Sequence, residues 1–253
     1  MVRMIAVYGV CSNGDGKVLA VRGHLPGGVL RHGEHPTTAA VRQVAAAGVT
    51  GNVVQIRECA ADVTPERHLD RIVYELRPQR VELANGAEWL DPSDVTGYAP
   101  AVRPALDGDG RPRVQRFAAY GRVTDSDGRV LLTRIAPNYP GAGKWHLPGG
   151  GTDVGEQPAD GLLRELYEET GQRGRVDELL AITHRHNPAA LGPEGYPINW
   201  HSVRALYSVS VDVPGTPSVT ELAGGSTVDA AWFGRSEIGG LNLTDVASLV
   251  LDG

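Results

Sequence analysis

The chain has 253 residues and a formal net charge of −6 at pH 7, a length that suits one large domain or two small ones. The acidic balance argues against a general nucleic-acid-binding protein, because such proteins need a basic surface. With two cysteines and no apolar run near the roughly 20 residues of a membrane helix, the sequence predicts a cytoplasmic protein with neither a disulfide framework nor a membrane partner.

Alternating apolar residues predict strands in both halves of the chain. Residues 4–10 and Val18–Val21 flank a turn sequence and predict an N-terminal hairpin. Further strands are predicted at 118–124, 129–135 and 204–211. A helix is predicted at 158–170, and Gly171 is placed to cap its C-terminal end. Strands mixed with a strong amphipathic helix predict a fold of the α/β class.

The two halves of the chain repeat one sequence pattern. The clearest matched pairs are Tyr8-Gly9 with Tyr120-Gly121, Leu25-Pro26-Gly27-Gly28 with Leu147-Pro148-Gly149-Gly150, and Trp89 with Trp232. A repeat this long predicts two tandem domains, at 1–108 and 114–253, joined by a linker at 109–113 that is rich in Gly, Asp, Arg and Pro. The second copy is longer, and because its extra residues belong in loops, we expect the chemistry there.

Three glutamates lie within a single helical turn in the second copy. Glu165, Glu168 and Glu169 share one face of the predicted helix, where their like charges repel. Mg²⁺ removes such repulsion, since it prefers carboxylate oxygens and leaves coordination positions for phosphates. A solvated acidic face is the ordinary alternative for an isolated cluster of this kind.

The pattern around these glutamates resembles the Nudix box. Gly150, Glu156, the run Arg164-Glu165-Leu166, the pair Glu168-Glu169 and Gly171 all match, and only Gln172 departs, where the family prefers an aliphatic residue. The resemblance implies two tandem α/β/α sandwich domains with mixed β-sheets. It also implies Mg²⁺-dependent (or Mn²⁺-dependent) hydrolysis of the diphosphate bond in a nucleoside di- or triphosphate derivative, by attack of water on phosphorus.

The resemblance also assigns roles to residues of the second copy. Glu165, Glu168, Glu169 and the Gly149 carbonyl are expected metal ligands, with Arg164 orienting the glutamates. Glu156 is either a structural partner or an outer ligand. Gly149 and Gly150 are expected beside the phosphates, and Trp145 and Arg185 are candidate contacts to the substrate. Glu221 is the candidate general base, with Glu194 as the poorer alternative.

The first copy lacks the metal-binding residues. Gln43, Ala46 and Ala47 stand where the second copy has its three glutamates, which predicts a degenerate, non-catalytic domain. The two domains are expected to pair as an intramolecular pseudo-dimer, and a homodimer is possible. The degeneration leaves open an alternative function, a non-catalytic nucleotide-binding sensor or regulator, and an isomerase on the same fold is a third reading.

Overall fold

The computed structural model describes residues 1–101, 112–137, 139–192, 195–220 and 225–251. The chain forms two compact units. One comprises Met1–Phe117 with Ile182–Val203, and the other comprises Ala118–Ala181 with Arg204–Gly253. The segment 182–203 thus groups with the first repeat, whereas most of the predicted linker lies outside the described residues. The division at 109–113 stays a prediction.

The first repeat is built on a mixed sheet and one helix. Its elements are β1 (Val2–Cys11), β2 (Val18–Val21), β3 (Gly27–Val29), α1 (Pro36–Ala46), β4 (Val49–Val63), β5 (Arg67–Val81), β6 (Ala87–Leu90) and a 3-10 turn at Pro92–Asp94. The strand order is β3-β1-β5-β4, in which β1 and β5 run parallel and the other pairs run antiparallel. A separate ladder joins β2 to β6.

The second repeat follows the same plan with longer strands. Its elements are β7 (Arg113–Asp125), β8 (Val130–Ile135), β9 (Trp145–His146), β10 (Gly149–Gly151), α2 (Pro158–Thr170), β11 (Arg175–Leu191), β12 (Pro197–Val211), β13 (Thr227–Phe233), α3 (Arg235–Ile238) and α4 (Asp245–Leu251). The strand order is β11-β12-β7-β8-β13, with β10 paired to β7 and β9 to β8. The prediction of an α/β fold with two sheet bodies is confirmed.

Strand register supports the internal repeat. In the first repeat Tyr8 pairs with Gly27 and Leu19 pairs with Trp89. In the second repeat the corresponding residues form the same pairs, Tyr120 with Gly149 and Leu131 with Trp232. Two stretches of chain that repeat both residues and partners build the same supersecondary unit. Within the described ranges, no helix has the length and apolar character needed to cross a lipid bilayer.

The N-terminal hairpin prediction is wrong in its pairing. Both predicted strands exist, but β2 pairs with β6, and β1 and β2 meet only at the bridge between Ser12 and Val18. The reason is that β1 is an inner strand, with β3 along one edge and β5 along the other. A local turn signal cannot reveal that both edges of a strand are already taken.

A histidine cluster lies in the first compact unit, centred on the fully buried His201. Gly33 donates its N–H to His201 Nδ1 at 3.0 Å, and the Gln115 side-chain nitrogen lies 3.0 Å from the same atom. Nδ1 is therefore an acceptor, and the neutral ring carries its proton on Nε2, 3.3 Å from His184 Nδ1. Burial, reinforced by the neighbouring histidines, lowers the pKa of His201 to about 3.

Acidification is expected to weaken this unit. Because the pKa of His201 is lower in the folded chain than its ordinary value of 6.5, the unfolded chain binds the proton first as pH falls. The contribution of His201 to stability is thus complete above pH 6.5 and is lost between there and about pH 3, at roughly 1.4 kcal/mol per pH unit. Urea midpoints measured from pH 7 to pH 4 are expected to fall less steeply for His201→Gln than for the native protein. His24→Gln, outside the cluster, should keep the native slope, and equal slopes for all three proteins would contradict the account.

Candidate active site

Helix α2 separates an apolar face from an acidic one. Leu162 and Leu166 are fully buried, whereas the face that bears Arg164 and Glu168 is accessible to solvent. Pro158 opens the helix, where its missing N–H costs nothing. Gly171 closes it with φ +70°, the left-handed conformation expected of a C-terminal cap. The helix thus has the predicted bounds, and it presents its carboxylates on one side.

The glycine strand β10 runs close to the acidic side of α2. Gly149 has φ +129°, and a Cβ there would lie 2.2 Å from the Ala119 carbonyl oxygen. A Cβ on Gly150 would lie 2.8 Å from the Glu165 carboxyl carbon. Gly149 therefore has to be glycine, because its Cβ would collide with fixed backbone, whereas a Cβ on Gly150 would displace the Glu165 carboxylate from its place against β10.

Arg164 bridges the acidic cluster. Its guanidinium donates two hydrogen bonds to Glu156, at 3.0 and 3.1 Å. Nη1 of Arg164 donates to Glu165 at 3.0 Å and to Glu168 at 3.1 Å. Nη2 donates to the Gly151 carbonyl at 3.3 Å. The glutamate partners raise the pKa of Arg164 further above its ordinary value, against the opposing effect of burial. One permanent positive charge therefore neutralises part of the repulsion and ties the glycine loop to the helix.

Glu169 is the buried carboxylate of the cluster, with 3% of its surface exposed. Its Oε2 accepts the Gly149 N–H at 2.9 Å, and its Oε1 accepts the hydroxyl of Thr227 on β13. Two strands thus fix the two oxygens of one carboxylate. Thr227 was not predicted as a site residue, because a lone threonine before a strand carries no sequence signal.

Comparison with known proteins assigns the family. The NUDIX domain family matches residues 114–249, more than half of the chain. The chain belongs to the NUDIX domain family. Members of this family generally use a divalent cation such as Mg²⁺.

Individual relatives match shorter stretches. A MutT-like protein of Streptomyces ambofaciens is 42% identical over 71 residues, which are 28% of this chain and 44% of that protein. An RNA pyrophosphohydrolase of Bartonella quintana (strain Toulouse) is 45% identical over 56 residues, which are 20% of this chain and 32% of that protein. The chain therefore spans less than half the length of these two curated relatives. The crystal structure of a MutT NUDIX hydrolase from Burkholderia pseudomallei matches 55% of this chain and 98% of that one, with 26% identity and a TM-score of 0.41.

The first repeat keeps the arginine–glutamate contact of the second repeat but not the three glutamates of its helix. Arg42 donates to Glu34 at 2.7 and 2.9 Å, as Arg164 does to Glu156. A Cβ on Gly28 would meet the Gln43 amide at 2.8 Å, the contact that Gly150 makes with Glu165. The bridge between loop and helix is thus independent of the acidic cluster.

Gln172, the departure from the Nudix box, is buried and hydrogen-bonded. Its Oε1 accepts the Gly215 N–H at 2.8 Å, and its Nε2 donates to the Thr170 carbonyl at 3.2 Å. The Trp232 indole N–H donates to the Gly215 carbonyl at 3.1 Å, so that both backbone polar groups of Gly215 are hydrogen-bonded. The amide therefore attaches a loop to the end of α2, a role that an aliphatic side chain lacks.

Two of the remaining predicted site residues, Trp145 and Arg185, lie in the described part of the chain. Trp145 packs edge-to-face on Phe233, with ring centroids 4.8 Å apart, beside the core of the second repeat. Arg185 is exposed on the part of β11 that belongs to the first compact unit. Glu221 and Glu194 lie outside the described residues. Their roles stay predictions.

The donor set is suited to a hard divalent cation. It offers only oxygen ligands, the type that Mg²⁺ prefers, and the Glu168 side chain is 44% exposed. Across the described residues, no group of three or more His, Cys, Asp or Glu side chains already has metal-binding geometry. The contacts explain this, because Glu165 and Glu168 are turned towards Arg164. Arg164 contacts Oε1 of Glu165 and Oε2 of Glu168, so a cation would bind each carboxylate through its other oxygen or in exchange for the guanidinium.

Replacing Arg164 is expected to destabilise the second repeat. Arg164→Gln leaves the carboxylates of Glu156, Glu165 and Glu168 without their shared donor, and we expect a loss of about 1.5–3 kcal/mol in the free energy of unfolding. Arg173→Gln is the matched control, because Arg173 follows the C-terminal cap of the helix and lies over the Tyr167 ring. Its expected effect is about 0.5 kcal/mol or less. Urea unfolding measures both, and equal losses would contradict the bridging role.

Proposed function

We propose that the second repeat catalyses Mg²⁺-dependent hydrolysis of the diphosphate bond in a nucleoside diphosphate derivative. The observation that carries the proposal is the arrangement of Glu165, Glu168 and Glu169 on one turn of α2, beside a glycine strand whose backbone approaches them. The name of the Bartonella quintana relative, a pyrophosphohydrolase, supports a phosphoric anhydride as the bond that is cleaved. Mn²⁺ has the same ligand preference and is an alternative cation.

Glu165, Glu168, Glu169 and the Gly149 carbonyl would hold the cation. When bound, Mg²⁺ supplies charge neutralisation at the phosphate oxygens and lowers the pKa of a coordinated water. Arg164 orients the neighbouring carboxylates through its hydrogen bonds to them. The Gly149–Gly150 backbone lies against the Glu169 and Glu165 carboxylates, and we place the phosphate groups of the substrate beside it. Phosphoryl transfer needs chiefly this kind of positioning and charge stabilisation.

The substrate class is a nucleoside triphosphate, a nucleotide sugar or a compound of the ADP-ribose type. Trp145 and Arg185 are our candidates for contacts to the substrate, with Arg185 holding a phosphate. Glu221 is our candidate for the general base. The pairing of the two repeats as a pseudo-dimer stays a prediction.

Amide substitutions in the acidic cluster are expected to abolish turnover. Glu165→Gln, Glu168→Gln and Glu169→Gln each keep the side-chain shape but remove a charge that a divalent cation needs, so we expect losses of about 100-fold or more in kcat. The assay is product analysis on a panel of nucleoside triphosphates, nucleotide sugars, ADP-ribose and dinucleoside polyphosphates with Mg²⁺. Gln43→Ala, at the position of the first repeat that corresponds to Glu165, is expected to keep activity within about twofold.

Two outcomes would contradict this proposal. Cleavage that persists in all three variants would place the reaction elsewhere in the chain. Mg²⁺-dependent binding of a panel compound without any cleavage by the native protein would favour the sensor, the alternative that the degenerate first repeat left open.

A further inference from the structure

Thr227 reaches Glu169 through an irregularity in β13. The strand pairs regularly with β8 from Phe233 back to Asp229, and then shifts register between Asp229 and Thr227. Such a bulge places an extra residue in one strand and changes the direction of the neighbouring side chains. Here Val228 and Asp229 are both exposed, whereas Thr227 is 8% exposed. The strict alternation of a strand is thus broken at the residue that contacts the carboxylate.

The contact between the two side chains is directional. An ionised carboxylate only accepts hydrogen bonds, so the threonine hydroxyl is the donor and Glu169 Oε1 the acceptor. The second oxygen, Oε2, accepts the N–H of Gly149 at 2.9 Å. One donor comes from β13 and the other from β10. Because each oxygen has its own donor, rotation of the carboxyl group about its last bond would break both hydrogen bonds.

The same pair is missing from the first repeat. Ala47 stands at the position of Glu169. The offset that relates Trp232 to Trp89 places Ala84 at the position of Thr227. The β2–β6 ladder, which corresponds to β8–β13, ends at Ala87 and has no paired residues at the position of the bulge. The repeat without a carboxylate at this position therefore also lacks the hydroxyl and the strand pairing that surrounds it.

We propose that Thr227 is a positioning residue that sets the orientation of the Glu169 carboxylate for binding a divalent cation. The inference rests on the proposed function, since it takes Glu169 as a metal ligand. Donors behind a ligating carboxylate typically change metal affinity by about 10- to 100-fold when they are removed. The Thr227 hydroxyl acts only through Glu169. Its removal therefore lowers the affinity for the cation, and turnover changes as a consequence.

The test compares two substitutions that differ in one chemical group. Thr227→Val keeps the shape and removes the donor, whereas Thr227→Ser keeps the donor and removes a methyl group. Mn²⁺ is the probe, and the signal of the free ion in electron paramagnetic resonance gives its dissociation constant for the full-length protein. We expect the dissociation constant to rise about 10- to 100-fold for Thr227→Val and to stay within about threefold of the native value for Thr227→Ser. The Mg²⁺ concentration for half-maximal kcat should move in parallel.

The outcomes separate this inference from the proposed function. If the native protein binds no Mn²⁺, or if Glu169→Gln binds it as tightly as the native protein does, the proposed metal site fails. If the native protein binds Mn²⁺ through Glu169 and Thr227→Val binds it equally well, the positioning role alone is overturned. A lowered melting temperature with unchanged Mn²⁺ affinity would also overturn it, as a purely structural effect. Should Thr227→Val not fold, Thr227→Ala replaces it in the same comparison with Thr227→Ser.

Discussion

Three carboxylates on one helical turn need positive charge beside them, and the second repeat is arranged around that need. Arg164 supplies the charge and uses its planar fork to join the glycine strand, the preceding loop and the helix. Glu169 is buried and is held by a backbone N–H and a threonine hydroxyl. Before any cation binds, Glu165 and Glu168 thus contact the arginine side chain, whereas Glu169 is fixed by donors from two strands.

The two repeats separate the scaffold from the chemistry. Both keep the arginine–glutamate bridge and the close approach of glycine to the helix, with Arg42 and Glu34 repeating the geometry of Arg164 and Glu156. Only the second adds the acidic face. Because the first repeat has this bridge but no carboxylate cluster to neutralise, the bridge serves to stabilise the junction between loop and helix. The catalytic proposal concerns only the three glutamates that the second repeat adds.

Local features of the sequence were predictable, and pairing over long distances was not. Helix α2 has its predicted bounds because its apolar spacing and its terminal Gly171 are encoded within a few residues. The internal repeat was also visible in the sequence, because both copies keep the residues that pair between their strands. The partner of β2 was missed because it depends on strands 60 or more residues away in the chain. Thr227 was missed because a bulge, rather than a residue pattern, aims it at Glu169.

The central claim, that the acidic turn of α2 is a divalent-cation site, is tested most directly by anomalous diffraction from crystals of the native protein soaked in Mn²⁺. The account predicts one or more anomalous peaks within coordination distance of Glu165, Glu168 and Glu169, and none beside Gln43 in the first repeat. It would be contradicted if no peak lay at the three glutamates, or if the manganese lay only in the first repeat.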